Sequence, residues 1–264
     1  MANEQTREEK QKLLLERLQE MSYFDDEFMT KCLEDYPKGV ELMLRIIMND
    51  AKLVVKEAQV QAVIKNLQGR SIRMDVKTTD VSNKQYDVEL QRADSGAKPK
   101  RARYNSSLMD ANSILPGDDT DMLPETYVIF ITENDVLEGK LPIYHIDRTI
   151  KETGALFDDK AHIIYVNGEI KDDTPLGRLM HDLSCADPDD MNYAELADRA
   201  RYFKSNKEGR KIMSKIMEQL INEEKIEAAK RMLERGKMTK EEIAEDLDLP
   251  LSIVESLENK LQPA

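Results

Sequence analysis

The chain has 264 residues, 40% of them hydrophobic and 34% charged, with a net charge of −13 at pH 7. That length suits one large domain or two small ones with a sizeable core. No run of about 18 apolar residues occurs, so a transmembrane helix is excluded, and the mixed-charge start MANEQTREEKQK lacks the apolar stretch of a secretory signal.

Residues 1–20 read as a polar helix with a short apolar stripe at Leu13, Leu14, Leu15 and Leu18. Ser22–Asp35 predicts a second helix: Asp25, Asp26 and Glu27 sit where a helix start favours acids, and Phe28, Cys32 and Leu33 are helix-spaced. Pro37 and Gly39 interrupt the chain before an apolar helix over Val40–Met48. Leu53–Asn66 is rich in valine and reads as a strand, although its alanines and glutamines also permit a helix.

The next stretch alternates clearly. Ile72, Met74 and Val76 are expected on one face, with Arg73, Asp75 and Lys77 on the other. After a polar turn at Val81–Lys84, Tyr86, Val88 and Leu90 oppose Asp87, Glu89 and Gln91. Two amphipathic strands with a short link predict a β-hairpin. Arg101–Leu115 then reads as a helix carrying Tyr104, Leu108, Ala111 and Leu115, closed by Pro116 and Gly117. Thr126–Thr132 is a near-continuous apolar run, as in a strand buried on both faces, and Ile143–Ile146 and Ile163–Val166 are further short strands. This order predicts an α/β or α+β domain ending near residue 170.

Helices follow at Leu176–Leu183, Asn192–Phe203 and Gly209–Arg235, with Gly236 as a cap. Lys237–Lys260 has a helix-turn-helix shape about Asp248–Pro250. Seven acids against three lysines there argue against a groove-reading helix, so an accessory or oligomerisation element is the competing reading.

Residues at i and i+2 of a strand share a face, so Glu89 and Gln91 point the same way. Pairing across the turn lets Asp75 and Glu89 reach one point. Two converging carboxylates repel unless a cation lies between them, and such oxygen ligands suit Mg²⁺ or Mn²⁺. A metal there can polarise a phosphoryl oxygen and activate a water for attack on a phosphodiester. The overall acidity disfavours nucleic-acid binding, but Arg92, Lys98, Lys100, Arg101 and Arg103 fall within twelve residues directly after the acids.

The run RMDVKTTD…YDVELQRADSGAKPKRARYNSSLMD resembles the PD-(D/E)XK nuclease family transposases, the Rpn-like recombination-promoting nucleases. The resemblance covers roughly residues 20–205. It implies a restriction-endonuclease-like core, a mixed sheet flanked by helices, over residues 1–205, with residues 206–264 as an all-α extension. It implies metal-dependent DNA cleavage, with Asp75 as the first motif acid and Glu89 and Gln91 as the Glu-x-Gln motif. Arg92, Arg101, Arg103 and Tyr104 match the basic segment that contacts DNA. DDEFMTKCLED resembles the family's early acidic helix, which makes Asp26 (or Asp25) a further candidate metal ligand. Gln91 stands where the wider superfamily has lysine. It donates hydrogen bonds but stays neutral, so Lys77, on the same face as Asp75, becomes the candidate for the missing positive charge.

The expected function is therefore a Mg²⁺- or Mn²⁺-dependent DNA endonuclease serving DNA mobility, recombination or defence. The alternative is a non-cleaving regulatory protein that keeps the nuclease fold to bind DNA or a partner. Cleavage of both strands would call for a homodimer, which nothing in the sequence establishes. Cys32 and Cys185 have no partner spacing and fit a reducing cytoplasm. His145, His162 and His181 share no metal spacing, and no glycine-rich phosphate loop or nucleophile elbow occurs.

Overall fold

The computed structural model describes residues 2–66 and 69–261; Met1, part of the first predicted helix, lies outside them. The chain forms two compact units, Gln19–Asn206 and Met1–Leu18 with Lys207–Ala264. No helix of the described residues is long and apolar enough to cross a membrane.

The larger unit is built on a six-stranded mixed sheet. In chain order its strands are β1 (Val55–Ile64), β2 (Ile72–Asp80), β3 (Gln85–Gln91), β4 (Thr126–Thr132), β5 (Ile143–Ile146) and β6 (Ala161–Asn167), arranged β1-β2-β3-β4-β6-β5. Strands β1, β2 and β3 form an antiparallel meander, β3, β4 and β6 run parallel, and β5 returns antiparallel along β6. Every residue of β4 is buried, as its apolar run demands of a strand covered on both faces. The strand reading of Leu53–Asn66 holds, because its valines supply the outer strand of the meander.

The helices preceding the sheet are α1 (Ala2–Glu20), α2 (Asp26–Leu33) and α3 (Pro37–Ile47). Helix α4 (Pro99–Ala111) connects β3 to β4, and α5 (Pro175–Ser184) and α6 (Ala194–Ser205) follow β6. Helix α4 begins earlier than predicted because Pro99 suits a first turn, and it stops at Ala111, leaving Leu115 exposed. Its Ala102, Leu108 and Met109 pack against Val128 and Phe130 of β4 and Tyr165 of β6. Helices α2 and α3 pack against β1 and, with α5 and α6, bury Phe28, Leu44, Leu179 and Leu196.

One buried cation ties this helical layer together. The Lys204 ammonium of α6 donates to the carbonyls of Gln19 (2.9 Å), Met21 (2.5 Å) and Ala186 (2.5 Å), and lies 5.1 Å from the Phe28 ring. Lys204→Met would leave three carbonyls without their donor, that of Met21 in a fully buried setting. We expect it to lower stability by about 2 kcal/mol, read as a drop in the denaturant midpoint; an unchanged midpoint would mean that water replaces the ammonium.

The second unit contains α7 (Lys207–Arg235), α8 (Lys240–Asp246) and α9 (Leu251–Leu261). Gly236 closes α7 at φ 61°, and Thr239 and Glu242 form a reciprocal capping box at the start of α8. Ala229 of α7 packs with Ile243, Ala244, Val254 and Leu257 of α8 and α9.

Candidate active site

The site lies where β2 changes face. Val76 pairs with Val88 and Val88 with Ile129, so these three share one face of the sheet. Asp87 and Glu89 pair with Val128 and Phe130 and share the other, the face that α4 covers. Simple alternation places Met74 beside Val76, but Met74 packs in the cluster with Val128 and Phe130. The strand therefore turns over at Asp75. The ladder to β1 runs Val60↔Val76 and then Ala62↔Met74, and the ladder to β3 ends at Val76↔Val88. Gln61, the residue across from Asp75, has φ 51°, a left-handed conformation that an ordinary strand does not contain. This corrects the single-face reading of Ile72, Met74 and Val76.

The break in pairing frees Asp75 for side-chain work. Its Oδ2 accepts the Leu90 N–H at 2.9 Å. The Gln91 amide nitrogen is 3.4 Å from the same oxygen and 3.2 Å from Glu89 Oε2, so the two carboxylates converge on one nitrogen. Arg101 Nη2 reaches Glu89 Oε2 at 2.5 Å, and its Nη1 donates to Gln91 Oε1 at 3.1 Å and to the Gly96 carbonyl at 2.8 Å. Gly96 makes room for this arrangement, because a Cβ there would displace the Gln91 side-chain oxygen.

Asp87 and Asn105 complete the cluster, and neither was singled out in the sequence as a site residue. Asn105 Nδ2 donates to Asp87 Oδ2 (2.8 Å) and Glu89 Oε1 (3.3 Å), while Asp87 Oδ1 is buried without a hydrogen-bond partner. The available signal for Asp87 was its i−2 spacing from Glu89. Asn105 carried no such signal, because only the docking of α4 brings it to the carboxylates.

Burial dominates the electrostatics. It pushes Asp75 up to about 6, with the Leu90 N–H opposing and the Asp26 charge adding. It pushes Asp87 up to about 7 against the Asn105 hydrogen bond. Glu89 rises to about 9 through burial and then the charges of Asp87 and Asp75, with Arg101 opposing. Three carboxyls beside one guanidinium raise one another's pKa, Asp87 and Asp75 acting on Glu89 and Asp75 on Asp87. The donor set of Asp75 and Glu89 fits a hard divalent ion, which commonly takes one or two carboxylates and completes its shell with water and phosphate oxygens. Among the described residues no group of three or more His, Cys, Asp or Glu is arranged to hold a metal. Asp26 in particular is not at the convergence point: it accepts from Gln61 Nε2 at 2.7 Å and lies 3.5 Å from Arg73 Nη2.

A cleft of about 570 Å³ adjoins the carboxylates, lined in part by Arg101 and Asn105. Arg70, Arg73, Lys98 and Lys100 supply its other charges, and none of the described lining residues is acidic. Tyr104 lines it too, its hydroxyl donating to the Arg70 carbonyl. Arg70 and Arg73 were not anticipated as site residues; Arg70 precedes β2 and Arg73 is its second residue, and both line the cleft with residues of α4. Arg103 is exposed outside this lining. Arg92 is committed elsewhere, bonded to Asp25 at 3.1 Å, to Ser22 at 3.2 Å and facing Glu133 at 3.5 Å. Lys77 pairs across the ladder with Asp87 and so lies on the carboxylate face.

No curated protein and no solved structure compared with the chain matches it. The family model for PD-(D/E)XK nuclease family transposases matches residues 46–248, which span the whole sheet and the carboxylate cluster. The chain therefore belongs to the PD-(D/E)XK nuclease family transposases, a family whose role is nuclease-like and linked to DNA rearrangement.

Proposed function

We propose that the chain is a divalent-metal-dependent DNA endonuclease acting in DNA mobility, recombination or defence. The observation that carries this reading is the pairing of converging buried carboxylates with a cleft whose described charged residues are all cationic, in a protein of net charge −13. Such a cleft focuses a polyanion onto one strip of an otherwise acidic surface.

In this reading Asp75 and Glu89 hold Mg²⁺ or Mn²⁺. When bound there, such an ion would supply Lewis-acid polarisation of a phosphoryl oxygen and a lowered pKa for a water. The Gln91 amide orients the attacking water or a phosphate oxygen. The water oxygen bonds to phosphorus and gives up a proton to solvent as the bond to the departing deoxyribose oxygen breaks, and that oxygen takes up a proton from solvent. Arg101 and Tyr104, with Lys98, Lys100, Arg70 and Arg73, grip phosphates, which sets position without reading sequence. Arg103 extends that grip along the exposed face of α4. Arg92 braces Asp25 and Glu133 instead. Asp26 acts as a supporting acid, held one layer out from the convergence point. A homodimer for two-strand cleavage and a cytoplasmic location belong to the same proposal.

Linearisation of supercoiled plasmid by the purified protein in Mg²⁺ or Mn²⁺, and its loss in chelator, tests the reading. DNA binding in chelator with no cleavage in any divalent metal would instead favour the non-cleaving regulatory role. Lys77 supplies the positive charge that Gln91 does not. Lys77→Met is expected to slow cleavage roughly 10-fold at unchanged DNA affinity; full cleavage by that variant removes Lys77 from the mechanism.

A further inference from the structure

We propose that Arg101 is a resident counter-ion that keeps the two-carboxylate site closed to metal until a DNA phosphate draws it away. This rests on the nuclease reading of the site and adds its regulation. The Arg101 guanidinium is on Glu89 Oε2 at 2.5 Å, the same oxygen that Gln91 Nε2 approaches at 3.2 Å. Two N–H donors thus occupy the Glu89 oxygen, and one of them, Gln91 Nε2, also approaches Asp75 Oδ2 at 3.4 Å. A divalent ion and a guanidinium cannot both contact that oxygen without strong repulsion in so buried a setting, since the Glu89 side chain has no exposed surface.

Arg101 is held but not locked. Its remaining partners are two neutral oxygens, on Gln91 and Gly96, and its side chain is 35% exposed toward the cleft. Its guanidinium lies 5.5 Å from the Phe130 ring, so the planar group keeps a favourable surface to slide along. A phosphate entering the cleft offers a bidentate anionic partner that a guanidinium matches well. Transfer of Arg101 from Glu89 to that phosphate performs two tasks together: it clamps the DNA and uncovers the Glu89 oxygen. Metal and DNA then bind cooperatively, and by linkage each tightens the other by the same factor. Free protein stays metal-poor and idle, which restrains a nuclease that shares a compartment with DNA.

The test is Mn²⁺ titration of the full chain, read by loss of the free-ion electron paramagnetic resonance signal, with and without a short phosphorothioate duplex that resists cleavage. Arg101→Gln should bind Mn²⁺ at least about 10-fold more tightly than wild type without DNA, and the extra tightening by DNA should shrink. Arg101→Lys keeps a cation that cannot reach Glu89, Gln91 and Gly96 together, and should tighten DNA-free binding by about 3-fold. If Arg101→Gln fails to fold, Arg101→Lys alone decides. DNA-free Mn²⁺ affinity that is unchanged or weaker in the folded variants, or no Mn²⁺ binding by them, overturns the proposal. Tighter binding in the variants, lost with Asp75→Ala/Glu89→Ala, together with no plasmid cleavage by wild type, would uphold the counter-ion role and reject the endonuclease reading.

Discussion

Asp75→Ala is expected to reduce metal-dependent plasmid cleavage by at least about 100-fold, with the melting temperature little changed. The loss follows from position. Asp75 sits where β2 turns over, and no other described carboxylate approaches Gln91 Nε2 alongside Glu89. The small effect on stability follows from two opposing consequences. The variant leaves the Leu90 N–H without its 2.9 Å acceptor, which costs on the order of 1–3 kcal/mol for a buried donor. It also removes one of three carboxyls whose mutual repulsion and burial already disfavour charge. Asp75→Asn, which keeps an acceptor for Leu90, should be equally inactive. Cleavage at the wild-type rate by a folded Asp75→Ala would remove this carboxylate, and the site with it.

The metal-free protein should lose stability as the pH rises from about 4.5 to about 9. Burial raises Asp75 to about 6, Asp87 to about 7 and Glu89 to about 9, against ordinary carboxylates near 4. Between those limits the native state holds more protons than the unfolded state, so the slope of unfolding free energy with pH is negative. The contribution is fully present below the unfolded pKa and is lost as the pH passes each raised value. The fall should reach about 3 kcal/mol or more in chelator, flatten in Asp87→Asn, and be largely offset by saturating Mn²⁺, which favours the ionised carboxylates. Urea midpoints across that pH range provide the measurement. A flat profile would show that Arg101 alone neutralises the cluster.

The parts of this site that lie along one strand were legible in the sequence. Glu89 and Gln91 share a face because of the two-residue repeat, and the polar turn at Val81–Lys84 gives the register that brings β2 against β3. The same periodicity misplaced Met74, since alternation assumes an unbroken ladder and Gln61 breaks it with a left-handed residue. Periodicity also carried no sign of depth: Asp87 and Glu89 lie on the polar side of an amphipathic hairpin, and only the docking of α4 buries both. The basic strip was visible as composition, but its division was not. Arg101 turns inward to Glu89, Arg92 turns to Asp25, and Arg103 stays outside the cleft lining.

By itself, then, the sequence determined the order of elements, the apolar central strand, the Glu89–Gln91 pair and the family, because each depends on local spacing or a contiguous motif. The tertiary structure alone decided that the Gln91 amide nitrogen is the point where Asp75 and Glu89 meet, that Asn105 and Arg101 close over them, and that Arg70 and Arg73 join Lys98 and Lys100 in one cleft. Those contacts join β2, β3 and α4 across sequence gaps that no periodicity spans, and burial beneath the helix is what raises the carboxyls.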